Sequence, residues 1–168
     1  MFAERRKGKM KRKTLLCVAL VISMLLSVFM IGSVGAQPTT IGVEPDSIVD
    51  LGLGPGSTFT VEIWIRNVED LAAYEFKLGY DTAVLTATLI EYGGIFPDYM
   101  ELGKEINEAE GWLSYAVMVG IGQPSFYGDG CAAIIHFTVD SVGESALNLY
   151  DTKVGAPPDP SDPLTPIP

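Results

Sequence analysis

Apolar and polar residues alternate along much of the chain with the period of a β-strand. In the segment 71–80, alternate positions carry mainly large apolar side chains, and the residues between them are small or charged. Because successive side chains of a strand point to opposite faces of a sheet, we expect one face of this segment to be buried. Similar patterns predict seven more strands, at 40–44, 58–68, 85–91, 102–107, 112–119, 131–139 and 145–150.

Glycine-containing turn segments separate the predicted strands and support the same fold class. They occur at 52–57, 92–94, 108–111, 127–130 and 141–145. No amphipathic segment long enough for a helix competes with the strand pattern. Short strands at this spacing are typical of all-β proteins, so we predict a β-sandwich or jelly roll of about eight or nine strands.

The first 36 residues differ in composition from the predicted sheets. A basic segment at 1–13 is followed by an apolar run at 15–31 and then by small residues, with Val34 and Ala36 placed as at a cleavage site. This order is typical of a secretory signal peptide, so we predict cleavage after Ala36 and a secreted or cell-surface protein. An uncleaved N-terminal membrane anchor is the alternative, because the apolar run approaches the length of a span.

The rest of the chain is predicted to contain one folded domain and a tail. The predicted strands lie within 37–155, whereas six of the last 12 residues are prolines. Proline has no amide hydrogen for a sheet interior and favours extended backbone. We therefore predict that 156–168 is a linker or a disordered tail.

The net charge changes sharply once residues 1–36 are set aside. Seven of the 11 basic residues lie in the first 13 positions, so 37–168 has four basic residues against 20 acidic ones and a net charge of −16. Phosphate groups would repel such a chain. Neither a nucleic acid nor an anionic membrane surface is therefore an expected partner.

Few side chains of the predicted domain could support catalysis or bind a metal ion. His136 and Cys131 are its single histidine and cysteine; they fall on opposite faces of the strand 131–139, where Cys131 is predicted to be buried. A hydrolase triad or a zinc site needs more such groups together. Carboxylates for glycoside hydrolysis or calcium binding are present, although no spacing selects a pair. We predict no enzyme activity, no metal and no cofactor.

Four motifs of the domain occur together and in order in one known family. They are GSTFTV at 56–61, NVEDLAAYEFKLGYDTAVL at 67–85, GWLSYA at 111–116 and DGCAAIIHFTV at 129–139. Over about residues 40 to 154, the chain resembles the cohesin family. The resemblance implies a nine-stranded jelly-roll β-sandwich that binds a dockerin-type module through one sheet face. It also implies a role in tethering proteins into extracellular assemblies, typically for polysaccharide degradation.

The resemblance also indicates where a partner would bind. In cohesins, outward polar residues of the strand before the Tyr-Asp pair contact dockerin, and these positions fall on Ala73, in place of a common asparagine, and on Glu75. If the strand 112–119 is the neighbour, as in cohesins, its outward side chains extend this surface. The predicted partner-binding residues are Ala73, Glu75, Lys77, Trp112, Ser114 and Met118.

Two other functions are compatible with the same sequence. A carbohydrate-binding module of this fold superfamily would use exposed aromatic side chains as sugar platforms, with Trp64, Trp112, Tyr99 and Tyr127 as candidates. A structural domain of the cell surface is the other possibility. A row of three exposed aromatic side chains would favour carbohydrate binding, whereas a flat mixed surface with one or two aromatic anchors would favour a protein partner.

Overall fold

Residues 37–157 are described by the computed structural model, and their strands form two antiparallel sheets of four strands each. The strands are β1 (Thr40–Glu44), β2 (Thr58–Leu71), β3 (Ala73–Gly79), β4 (Leu85–Tyr92), β5 (Tyr99–Asn107), β6 (Trp112–Val119), β7 (Phe126–Val139) and β8 (Asn148–Gly155). The predicted signal peptide at 1–36 and the tail beyond residue 157 lie outside the described residues.

The two sheets pack face to face as an all-β jelly-roll sandwich, which confirms the predicted fold class. Sheet A has the strand order β1-β2-β7-β4, and sheet B has the order β5-β6-β3-β8. The described part of the chain contains eight strands rather than the nine that the resemblance implied. Because β2 and β7 each continue for 14 residues, the same length of chain forms fewer and longer strands.

The core lies between the sheets and contains the apolar positions that the alternation predicted to point inward. Each fully buried side chain of this kind contributes about 1.5–3 kcal/mol relative to an exposed one. The Tyr74 hydroxyl of β3 donates a 2.7 Å hydrogen bond to the Ala132 carbonyl of β7, so it links sheet B to sheet A. Side chains at most 1 % exposed include Ile63, Phe76, Leu78, Leu113, Tyr115 and Ile135.

Two residues with positive φ bend the end of β2. Asn67 has φ of 52° and Asp70 has φ of 62°, and the pairing of β2 with β7 shifts register next to both residues. The backbone N–H of Asn67 donates to the Asp129 carboxylate at 2.8 Å. Because left-handed backbone at a residue other than glycine needs such local support, these contacts let β2 run past the predicted end at residue 68.

Strand boundaries also differ from the prediction by three or more residues at three other places. β5 begins at Tyr99, three residues early, β7 begins at Phe126, and β8 is shifted to Asn148–Gly155. The glycine-rich segment 127–130, predicted as a turn, pairs with the bent end of β2, where Gly128 lies opposite Val68. Gly128 has φ of +103°, which glycine adopts without strain, so a turn-like composition is compatible with a bulged strand.

Cys131 does not lie in the core, which corrects the prediction for its strand. A register shift places Ala133 opposite Ile63 but Cys131 opposite Trp64, so one bulge accommodates the extra residue. Ala132 is therefore 0 % exposed, whereas Cys131 is half-buried on the outer side of sheet A. A strict period of two fails at this point because a bulge inserts one residue.

We expect the Cys131 thiol to react slowly despite its partial exposure. Burial, followed by the charge of Glu62, raises its pKa from 9.0 to about 11. Because the thiolate is the reactive form, alkylation by iodoacetamide at pH 8 should be about 100-fold slower in the folded protein than in urea. The native rate should keep rising up to pH 11; a plateau near pH 9 would contradict the prediction.

The contacts of the described fold are confined to the domain that carries the strands. All strand pairs and the whole buried core lie between residues 40 and 155. A protein spanning 37–168 therefore contains all the strand pairs and core contacts found among the described residues. Within residues 37–157, the structure has no helix long and apolar enough to cross a membrane.

Candidate functional site

The outer face of sheet B brings the predicted partner-binding residues together. β3 pairs with β6 in a regular antiparallel register, with Ala73 opposite Met118, Lys77 opposite Ser114 and Gly79 opposite Trp112. Directly opposed residues of neighbouring strands lie on the same face of a sheet. Ala73, Glu75, Lys77, Trp112, Ser114 and Met118 therefore form one continuous surface, called here the outer face of sheet B.

All six residues of this set are half-buried on the two central strands of the sheet. Their inward neighbours on the same strands, except Val119, are buried in the core. Trp112 and Met118 keep part of their surface accessible, although a loop could have covered them. Each of the six residues of the face therefore keeps part of its surface exposed.

β8 adds charged residues to this face that the sequence prediction missed. Lys77 Nζ lies 3.1 Å from Asp151 Oδ2, and Lys153 Nζ lies 3.0 Å from Glu75 Oε2. Both pairs join β3 to β8 across the register shift at Asp151. The charges of Glu75 and Lys77 are thus neutralised inside the domain, and a partner meets ion pairs rather than isolated charges.

Lys77 is held among aromatic rings as well as by a carboxylate. Its ammonium lies 5.5 Å from the centre of the Trp112 ring and 5.9 Å from that of Tyr150. The hydrogen bond to Asp151 raises the pKa of Lys77 above its ordinary value. The lysine therefore stays protonated at neutral pH and is fixed between two rings that attract cations.

Trp112 is oriented by the turn between β5 and β6. Its indole N–H donates to Glu110 Oε2 at 2.7 Å, and the Glu110 backbone N–H donates to Asn107 Oδ1 at 3.1 Å. A large ring fixed by such contacts can bind without losing much rotamer freedom. Trp112 consequently has the properties of an aromatic anchor in a protein interface.

The two ends of the outer face of sheet B differ in chemistry. At one end, Ala73 and Met118 are joined by Met100 of β5, which lies opposite Met118 and is 41 % exposed. At the other end lie Trp112 and Tyr150 with their surrounding charges. The face therefore combines an apolar end of small and flexible side chains with an aromatic and charged end.

Exposed aromatic side chains do not form a row in the described part of the chain. Tyr99, Tyr127 and Tyr150, the exposed members, lie on β5, β7 and β8. The ring of Tyr99 stacks on the ring of Tyr92, with 3.8 Å between the ring centres, and not on another of the exposed rings. Trp64 lies on the other sheet, so the four candidate sugar platforms are not brought together.

The described residues offer little that could hold a metal ion or support catalysis. Within 37–157, no group of three or more histidine, cysteine or acidic side chains is arranged to bind a metal ion. His136 Nε2 instead lies 2.8 Å from Glu91 Oε2 on the outer side of sheet A. The distinctive chemistry of the domain is therefore that of the outer face of sheet B.

Comparison with known proteins gives one family. The family model described as Cohesin domain matches residues 48–162. A non-cellulosomal cohesin from the hyperthermophilic archaeon Archaeoglobus fulgidus matches with a TM-score of 0.56 and 17% identity, covering 71% of this chain and 79% of its own. No match was found among curated proteins.

Two cohesins from Acetivibrio cellulolyticus have similar structures. The sixth cohesin of scaffoldin B, in complex with a Cel5 dockerin mutant, has a TM-score of 0.56 and 15% identity, covering 71% of this chain and 87% of its own. The second type II cohesin module of the adaptor ScaA scaffoldin has a TM-score of 0.54 and 14% identity, covering 76% and 75%. At these identities the likeness concerns the fold.

Proposed function

The chain belongs to the cohesin family, and from that premise we propose that it is a non-catalytic module that tethers a dockerin-type protein. The binding surface is the outer face of sheet B, with Trp112 as its main anchor. The observation that supports this surface most strongly is the β3–β6 register, in which the six half-buried side chains share one face of the sheet. A flat mixed surface with few aromatic anchors suits a protein partner.

The dockerin-type partner follows from relatives of the same fold. The scaffoldin B cohesin of Acetivibrio cellulolyticus forms a complex with a dockerin. The composition of the face supports a protein ligand, because Met100 and Met118 can repack around an uneven surface. A carbohydrate ligand has less support, since the exposed aromatic rings lie on separate strands.

An extracellular setting is the second part of the proposal. It rests on the signal-peptide pattern at 1–36 and on the proline-rich segment 156–168, which is suited to joining the domain to another module. A connection with polysaccharide degradation is a further expectation from the resemblance. The archaeal relative is described as a non-cellulosomal cohesin.

The direct test measures binding of the domain 37–168 to each dockerin module encoded in the same genome, purified singly with calcium. We expect at least one of them to bind, and Trp112→Ala to weaken that complex about 30-fold, as for a hot-spot aromatic residue. Since the Trp112 side chain is half-buried rather than in the core, the variant should unfold at a temperature close to that of the parent. Isothermal titration gives the dissociation constants, and thermal melts give the unfolding temperatures.

Trp64→Ala is a matched control for this experiment. Trp64 is also half-buried on an outer face, its indole N–H donates to Glu62 at 2.7 Å, and the Arg66 guanidinium lies 5.0 Å from its ring. It differs from Trp112 in lying on sheet A. Equal affinities of the two variants would rule out the outer face of sheet B, and failure of every dockerin to bind would refute the tethering proposal.

A further inference from the structure

An open cleft of about 480 Å³ lies at the aromatic end of the outer face of sheet B. It is formed where β3 ends and where β6 and β8 begin, so it continues the face without a break. The rings of Trp112 and Tyr150 line it, together with Gly79 and three carboxylate residues, Asp81, Glu110 and Glu144. The three acids come from three different turns, which the sandwich brings to one end.

Glycine provides the space between the two rings. A Cβ atom at Gly79 would lie 3.6 Å from the Tyr150 ring and 3.9 Å from the carbonyl oxygens of Asn148 and Gly111. Any longer side chain at position 79 would therefore occupy the volume that separates the aromatic residues. The absence of a side chain there leaves a cleft with a backbone floor and aromatic sides.

The acids of the cleft have no basic partner among the described residues. Arg66, Lys77, Lys104 and Lys153, the four basic residues of 37–157, form their ion pairs with other carboxylates. Glu110 accepts its hydrogen bonds from the Trp112 indole and from Asn107, both of them neutral groups. The cleft therefore has negative charge that no described cation balances.

The aromatic residues of the cleft also attract positive charge. The Lys77 ammonium already lies within 6 Å of both ring centres, at 5.5 Å and 5.9 Å. Because the Lys77 ammonium is itself paired with Asp151, the three carboxylate residues of the cleft keep a net negative charge, and a cation entering from the cleft would meet them beside the two rings. Aromatic sides and unbalanced acids are two features that independently favour a cation.

We propose that the cleft receives a basic side chain, best an arginine, from the protein that binds the outer face of sheet B. This inference rests on the proposed tethering function, because the partner supplies the side chain. A guanidinium is planar, stacks on aromatic rings and donates several hydrogen bonds to carboxylates, and all three properties match the cleft. The partner thus binds in one orientation, with its basic residue at Trp112 and an apolar surface on Ala73, Met100 and Met118.

The test uses a small arginine probe and therefore needs no protein partner. N-acetyl-L-arginine methylamide is titrated into the ¹⁵N-labelled domain 37–168 while the indole N–H signals of Trp112 and Trp64, the two tryptophans of the chain, are followed by NMR. We expect the Trp112 signal to shift and saturate with a dissociation constant on the order of 10 mM. The neutral citrulline analogue should bind at least about 5-fold more weakly.

Two variants with the same change of charge distinguish the effect of the cleft from the effect of the protein's overall negative charge. Glu144→Gln removes a carboxylate of the cleft, whereas Glu69→Gln removes an exposed one on β2 of sheet A. We expect Glu144→Gln to weaken arginine binding about 3-fold and Glu69→Gln to leave it unchanged. Equal binding of arginine and citrulline, equal effects of the two variants, or parallel shifts of both tryptophan signals would each overturn the proposal.

Failure of this inference is distinguishable from failure of the proposed function. If a dockerin binds and is weakened by Trp112→Ala, while the arginine probe leaves the Trp112 signal unchanged, the cleft proposal is wrong and tethering stands. If no dockerin binds but the probe saturates at Trp112, the cleft is a cation site and the dockerin partner is wrong. When a dockerin does bind, Glu144→Gln should weaken it about 3-fold relative to Glu69→Gln.

Discussion

Replacing Gly111 with alanine is expected to lower the free energy of unfolding by about 3 kcal/mol, the sum of backbone strain and a steric clash. Gly111 has φ of +70°, in the left-handed region that disfavours a Cβ atom. A Cβ atom there would also lie 2.5 Å from the Tyr80 carbonyl oxygen and 2.9 Å from Thr82 Cγ2. The clash with backbone cannot be relieved by a change of rotamer.

Gly122→Ala separates the strain from the clash. Gly122 has a similar φ of +78°, but a Cβ atom there would meet nothing within 4 Å. We expect this variant to lose only about 1 kcal/mol, the contribution of the left-handed backbone alone. Urea unfolding of the domain 37–168, followed by tryptophan fluorescence, measures both values, and equal losses would show that Gly111 does not approach Tyr80 as described.

The consequence of Gly111→Ala extends to the binding surface. The Gly111 carbonyl accepts a 2.8 Å hydrogen bond from the Tyr80 N–H, and this contact ties the end of β3 to the start of β6 beside Trp112. A shift of this backbone moves the anchor residue and the floor of the cleft together. The glycine therefore links stability to the geometry of the site.

The two central strands of sheet B could be predicted closely from the sequence. Strict alternation at 71–80 and 112–119 identifies their inward side chains, all of which except Val119 are buried. It also identifies the outward set from Ala73 to Met118. This worked because the β3–β6 register contains no bulge, so a period of two holds from end to end.

Bulges explain where the sequence prediction was wrong. Each bulge inserts one residue and reverses the faces beyond it, which places Cys131 on the outer side; two further bulges accompany the extension of β2 from the predicted end at Val68 to Leu71. Positive φ at Asn67, Asp70 and Asp151 depends on contacts from distant segments, such as the Asp129 carboxylate. Alternation and turn composition are local signals, so they contain no information about these contacts.

The same limitation hid the contribution of β8 to the candidate site. The pattern predicted a strand at 145–150, which ends before Asp151 and Lys153, the residues that pair with Lys77 and Glu75. A register shift at Asp151 interrupts the alternation there. The opposite charges of β3 and the segment 151–153 are the one sequence signal that could have indicated the pairing.

Replacing Ala116 with arginine is expected to reduce dockerin binding by more than about 1,000-fold, because a long charged side chain would stand at the centre of the interface. Ala116 lies on β6 between Glu75 of β3 and Gly103 of β5, and neither Ala116 nor Gly103 has a side chain that would project from the face. Because the arginine can extend into solvent in the free protein, the free energy of unfolding should change by less than about 1 kcal/mol.

Thr60→Arg adds the same side chain to the exposed outer side of sheet A and should leave dockerin binding unchanged. Isothermal titration of both variants, with urea unfolding as a check on folding, distinguishes the two sheets. The comparison with Glu144→Gln is also informative. Loss of one carboxylate at the end of the face should weaken dockerin binding about 3-fold, whereas a side chain that obstructs its centre should prevent binding. If Ala116→Arg bound with the parent affinity, the partner would have to contact a surface other than β3 and β6.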